Sequence, residues 1–210
     1  MKKIFTTLLI LSGIYSASFA QVKSSGAEFG VNIGYNAANV VYSGGNQTSD
    51  YTSGFTAGFS AEYYFSDRWS IKGKLNYDQK GWGNGYLTYD DGTEIDGVNF
   101  HVNYLTIPVM ANWHFGRMRN WYLHFGPYVG VLLNATESSN SGVDVKSAFN
   151  STDIGLDAGI GVKFPISNNV KLFIEADGQG GFSDIFKDNP GSRVQTERSS
   201  INIGLLFPVK

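Results

Sequence analysis

Between residues 29 and 207 apolar and polar side chains alternate with a period of two, in eight separate segments. Successive side chains of a strand point to opposite sides, so this pattern predicts strands with two unlike faces. One face carries Phe29, Val31, Ile33 and Tyr35 in the first segment and Ile201, Ile203, Leu205 and Phe207 in the last. Between them the segments 55–65, 69–77, 105–115, 121–133, 154–164 and 170–176 repeat the arrangement. No charged residue falls on this face in any of the eight.

The opposite face holds Glu28, Glu62, Lys72, Lys74, Asp78, Lys80, His124, Asp153, Asp157, Lys163, Lys171, Glu175 and Asp177. Many of the chain's 26 glycines lie there too. Interior glycine costs a helix about 1 kcal/mol relative to alanine, which excludes an all-helical protein. Low charge with abundant aromatics excludes a disordered one. The connections alternate in length. Short polar turns are predicted near 66–68, 116–120 and 165–169, and long loops near 37–52, 81–99, 136–151 and 180–197. The predicted fold is all-β: an eight-stranded antiparallel up-and-down transmembrane β-barrel.

Alternation alone fits two barrels. A soluble lipocalin-like barrel turns its apolar face inward around a ligand, whereas a membrane barrel turns it outward to lipid. Three features favour lipid. Glycine weakens a water-facing strand but makes room inside a narrow barrel. Aromatics gather at both ends of the apolar band: Phe65, Trp69, Trp113, Phe115, Trp121 and Phe164 by the short turns, and Tyr35, Phe55 and Tyr77 by the long loops. These positions fit two interfacial girdles. Short turns at one end and long loops at the other match periplasmic turns and extracellular loops.

The first twenty residues read as a secretory signal peptide: Met1-Lys2-Lys3, an apolar run, then Ser18-Phe19-Ala20 with small residues at the cleavage positions. Residues 21–26 then form a short N-terminal segment and 27–210 the barrel domain. The chain has no cysteine, which excludes disulfides, thiolate zinc sites and a cysteine nucleophile. Its formal net charge of −2 offers no footprint for nucleic acid.

Several segments resemble the PorT-like outer-membrane β-barrel family of Bacteroidetes. They are Tyr104-Leu105-Thr106-Ile107-Pro108, Gly126-Pro127-Tyr128-Val129-Gly130, Asp153-Ile154-Gly155-Leu156-Asp157-Ala158-Gly159-Ile160-Gly161 and Gly181-Phe182-Ser183-Asp184-Ile185. Gln21 after the signal also fits that phylum, while the ending Pro208-Val209-Lys210 departs from the family's frequent terminal aromatic. The resemblance implies an outer-membrane barrel and, through one family member, a link to a secretion machine.

Chemistry is sparse. Of the histidines His101, His114 and His124, none has a serine at a suggestive sequence spacing, so no catalytic set and no cofactor are expected. The segment Asp90-Asp91-Gly92-Thr93-Glu94-Ile95-Asp96 offers four carboxylates as a weak metal-binding loop, with a solvated acidic loop preferred. The inward acids and bases are mixed in sign, which predicts an ion-paired plug rather than a pore. Pro108 and Pro127 predict a bulge or bend, and the phase break between Val102 and Leu105 predicts a bulge near Asn103. Tyr42, Tyr51, Trp82, Tyr86, Tyr89, Phe149 and Phe186 fall in loops, as exposed contact groups or as packing on the rim.

The expected role is that of a small, non-enzymatic outer-membrane barrel acting as envelope structure or through surface binding. The alternatives are a narrow ion or solute channel, a secretion accessory, a lipid-modifying enzyme and a lipocalin-like binder. Expected partners are outer-membrane lipid, the barrel-assembly machinery during biogenesis, and a surface or secretion partner of unknown identity.

Overall fold

The computed structural model describes residues 26–43, 49–88, 92–138, 142–187 and 189–209. The signal peptide and most of the N-terminal segment therefore lie outside the described residues, as do Tyr89, Asp90 and Asp91. Eight strands follow in order: β1 (Ala27–Tyr42), β2 (Thr52–Tyr64), β3 (Trp69–Thr88), β4 (Glu94–Phe115), β5 (Trp121–Glu137), β6 (Thr152–Ser167), β7 (Val170–Gly181) and β8 (Val194–Val209). Each pairs antiparallel with the next, and β8 pairs with β1 from Ala27↔Val209 to Tyr42↔Val194, closing the barrel. Closure leaves no open sheet edge, the condition for a strand structure in hydrocarbon.

The faces are inside-out relative to a soluble protein. Ile33 is 65% and Phe59 66% exposed, whereas Lys72 and Asp78 on the other face are fully buried. A lipocalin-like barrel needs the reverse, so that reading is overturned by the register itself.

Four expectations from the sequence are corrected. The long loop expected at 81–99 is strand over most of its length: β3 continues to Thr88 and β4 starts at Glu94. At 20 and 22 residues these strands are twice the ~9–11 needed to cross hydrocarbon, so their hairpin projects beyond the barrel. Alternation is obscured there because Gly83 and Asn84 break the register between Trp82 and Gly85. The third short turn shrinks to Asn168 and Asn169.

The bulge expected at Asn103 sits on the partner strand instead. Asn103 pairs with Asn134 but Tyr104 with Leu132, leaving Leu133 of β5 as the extra residue. β4 keeps its phase, and Phe100, Val102 and Tyr104 all point inward. The prolines cause no bulge either. Ile107↔Val129, Pro108↔Tyr128 and Ala111↔Phe125 share one register, with paired positions missing only between them. Each proline lacks the N–H that would complete the ladder, and the neighbouring pairs hold the alignment.

Glycine and aromatic residues pair across β5 and β6. Tyr128 lies opposite Gly155, His124 opposite Gly159 and Tyr122 opposite Gly161. A Cβ at Gly155 would come within 2.7 Å of the Tyr128 ring, and one at Gly159 within 2.6 Å of His124 Nε2. These glycines are the space into which the large β5 side chains fold.

Candidate functional site

The barrel interior is a stack of three polar layers under an apolar cap. At the short-turn end, Lys163 of β6 lies 3.0 Å from Glu28 of β1 and 2.7 Å from Glu62 of β2. Lys171 also reaches Glu28, and among the described residues its side chain is the one lumen cation partly open to solvent. Tyr64 donates to Glu28 at 2.9 Å, and Asn112 to Glu62 at 3.0 Å.

The middle layer centres on Glu175 of β7. It accepts from Lys72 at 2.9 Å and Tyr122 at 2.7 Å, and pairs with Lys74. Two residues on, Asp177 accepts from Arg198 at 2.7 Å, Ser200 at 2.8 Å and Asn202 at 2.9 Å. Asp157 accepts from Gln179 at 2.9 Å, and Asp78 from Thr106 and Asn36. His124 lies between Asp157 at 3.3 Å and Glu175 at 3.4 Å. Above this layer Asp153 accepts from Lys80 at 2.9 Å, Tyr128 at 3.0 Å and Thr196 at 2.8 Å. The Lys80 ammonium stands 4.6 Å from the Tyr128 ring centre, a further source of stabilisation for a buried cation.

Every lumen residue singled out in the sequence is thus brought to the interior. Arg198 was not singled out. It belongs to the inward row of β8 with Thr196, Ser200 and Asn202, three residues before Ile201, where the apolar run that marks the strand begins. Continuing the alternation past Ile201 would have found it.

His124, Asp157 and Asp177 place ligand atoms within 4.8 Å of one another, a spacing that suits a metal ion. The charges argue otherwise. Arg198 reaches both Asp177 and Asp157, and Lys74 lies 3.4 Å from Asp177, so fixed cations already neutralise the carboxylates. Of the acidic segment considered for a metal, Glu94 and Asp96 are exposed strand residues of β4, paired with Thr88 and Tyr86.

The sequence spacing hid one serine–histidine contact. Ser70 Oγ lies 2.9 Å from His114 Nε2, across 44 residues of chain. Ser70 is fully buried and donates to Glu62 at 2.6 Å. Glu62 meets the same Nε2 of His114 at 3.0 Å, not the far ring nitrogen where an orienting carboxylate would stand. The cluster is a closed hydrogen-bond set with no exposed nucleophile.

The cap at the long-loop end was legible in the sequence only through Trp82, Phe149 and Phe186, read as rim packing or as exposed contacts; its aliphatic members come from strand tips and loops. Val40, Val98, Phe100, Val102, Leu132, Ile185 and Val194 pack with Trp82 and Phe149. Trp82 stacks on Phe100 at 4.5 Å, and Phe149 meets Phe186 at 4.9 Å. Of the loop aromatics, Trp82 and Phe149 are therefore buried, while Tyr51 and Tyr86 are exposed.

On the outer wall Trp69 pairs with Trp113, and Phe115 with Trp121, beside the short turns. Phe65 and Phe164 are exposed near them. Tyr35 pairs with Phe55, whose ring lies 5.4 Å from Tyr77, at the other level. On β3, Trp69 and Tyr77 are eight residues apart, about 27 Å along the strand and about 20 Å along the axis of a tilted barrel. That separation suits an outward apolar band of about 25 Å.

A closed antiparallel barrel with an apolar outer wall and a charged, packed interior defines an integral outer-membrane β-barrel protein. Residues 19–187 match the outer membrane protein beta-barrel domain family, and the chain belongs to it. The chain resembles Neisserial surface protein A (NspA), with 20% identity over 84% of this chain and 95% of that one, at a TM-score of 0.48. It also resembles Ail, the attachment invasion locus protein of Yersinia pestis, with 16% identity over 86% and 99% at 0.44. A third likeness is OprG from Pseudomonas aeruginosa, with 10% identity over 90% and 98% at 0.49. No curated protein matches. The protein is a small barrel of the outer membrane.

Proposed function

We propose that this chain is a closed, non-conducting and non-enzymatic barrel that works through its long-loop end. The observation that carries the reading is the filled interior: paired charges in three layers, then an apolar cap. A conducting pore needs a continuous wet path, and a selective one favours a ring of one sign. Here acids and bases alternate and reach each other directly. In this reading residues 1–20 are a cleaved signal peptide, the short turns face the periplasm and the long loops face outward. The motifs shared with the PorT-like family of Bacteroidetes support an assignment within that group. Lipid, the assembly machinery during biogenesis and a surface or secretion partner are the partners it implies.

Planar-bilayer recording of the refolded protein tests closure. No steady conductance at neutral pH is expected, and sustained single-channel steps would favour transport instead. Protease shaving of intact cells tests orientation, with cleavage expected within 138–151 or 182–193 and not at 116–120.

A further inference from the structure

Above the apolar cap the loops leave a cleft of about 670 Å³. Its size falls in the ~300–1,000 Å³ range of small-molecule sites. Trp82, Phe149 and Phe186 line it, with Tyr42 and Tyr86 at the edges and Lys187 on the rim. Trp82 and Phe186 meet edge to face at 87° and 5.9 Å, so the rings form an angled wall rather than a flat patch.

Two polar groups of this cleft are available. Buried tryptophan N–H groups normally find an acceptor. Trp82 as a residue is only 3% exposed, its indole N–H has no acceptor among the described residues, and that nitrogen is not one of the atoms sealed from solvent. Gly85, which also lines the cleft, stands beside that nitrogen: a Cβ there would lie 2.8 Å from Nε1. A side chain at that position would cover the N–H and press on the Phe100 ring, 2.7 Å away, so glycine keeps the indole edge uncovered. The second group is the Lys187 ammonium. It donates to the Ser147 carbonyl at 3.1 Å, and among the described residues no carboxylate pairs with it. The nearby acid Asp184 is already committed, accepting from Asn189 at 2.9 Å and from the Phe186 and Val194 amides.

We infer that this cleft binds a small aromatic carboxylate. The ring lies against Phe149 and Phe186, and the carboxylate accepts from the Trp82 N–H and pairs with Lys187. The inference rests on the proposal that the long-loop end is the working face. A neutral aromatic would use the rings alone, and an aliphatic acid the cation alone, so both should bind less well.

The test is calorimetric titration of the full barrel in lipid nanodiscs with 2-naphthoate, with empty nanodiscs as the blank. Saturable one-to-one binding is expected. Lys187→Gln and Trp82→Phe should each weaken it about tenfold, the loss of one strong hydrogen bond, and 2-naphthamide should bind about tenfold more weakly than the acid. Heat equal to the blank, equal binding of acid and amide, or unchanged affinity in Lys187→Gln would each overturn the inference. Lys187 is exposed, so its variant stays informative if Trp82→Phe fails to fold. Absent binding by a folded, non-conducting barrel removes the site alone, whereas conductance removes the broader reading.

Discussion

Tyr122 of β5 stands directly across from Gly161 of β6, and its ring fills the volume a Cβ at position 161 would need. The same ring donates its hydroxyl to Glu175 and lies 5.2 Å from the Lys72 ammonium. A missing side chain on one strand is thus what lets the next strand reach the centre of the charge network.

Gly161→Ala should destabilise the barrel by about 1–3 kcal/mol, the range for overpacking a filled interior. Gly178→Ala is the control, because the nearest atom to its Cβ would be the Arg198 carbonyl at 3.8 Å. That change should stay within about 0.5 kcal/mol. Urea unfolding in lipid vesicles measures both, and equal effects would contradict the packing described.

Glu175→Gln removes the charge on which Lys72 and Lys74 converge. Lys72 then loses its directly paired carboxylate and keeps the Tyr122 and Phe173 rings beside its buried ammonium. The cost should be about 3–5 kcal/mol, as for other buried pairs that lose one partner. Asp67→Asn breaks the exposed pair with Arg119 and should cost about 0–1 kcal/mol. The same unfolding assay separates them.

Val109 of β4 pairs with Gly73, midway along β3 between Trp69 and Tyr77. It therefore faces lipid near the midplane. Val109→Arg should cost about 2–4 kcal/mol, whereas Tyr51→Arg in an exposed loop should change stability by about 0.5 kcal/mol or less. A small loss at Val109 would mean that this surface does not meet hydrocarbon.

The four tryptophans divide between lipid and cap. Trp69, Trp113 and Trp121 are exposed on the outer wall, and Trp82 is buried in the cap. Brominated lipids should quench the first three and spare Trp82. Single-tryptophan variants read each one, and strong quenching of Trp82 would place the cap inside the bilayer.

How much was legible in advance varies with distance along the chain. Which side of a strand a residue takes is local, since neighbours alternate by backbone geometry. Phe29 outward and Glu28 inward, the lipid-facing wall and the short turns at 66–68 and 116–120 follow from that alone. The bulge was misplaced because an extra residue shifts phase relative to a partner strand, and one strand's sequence does not say which of the two carries it. The hairpin at 81–99 was lost because Gly83 and Asn84 interrupt the period while the pairing continues on either side.

The faces, the strand number and the inside-out arrangement were properties of the sequence by itself. Partnership was decided only by the tertiary structure. Lys72 meets Glu175 across 103 residues, and Ser70 meets His114 across 44, because closing the ring sets which inward side chains share a level. The cap depends on closure even more. Val40, Trp82, Phe149 and Ile185 come from separate strand tips and loops and carry no common period. They become one apolar surface only when the ends of the strands are brought around the same opening.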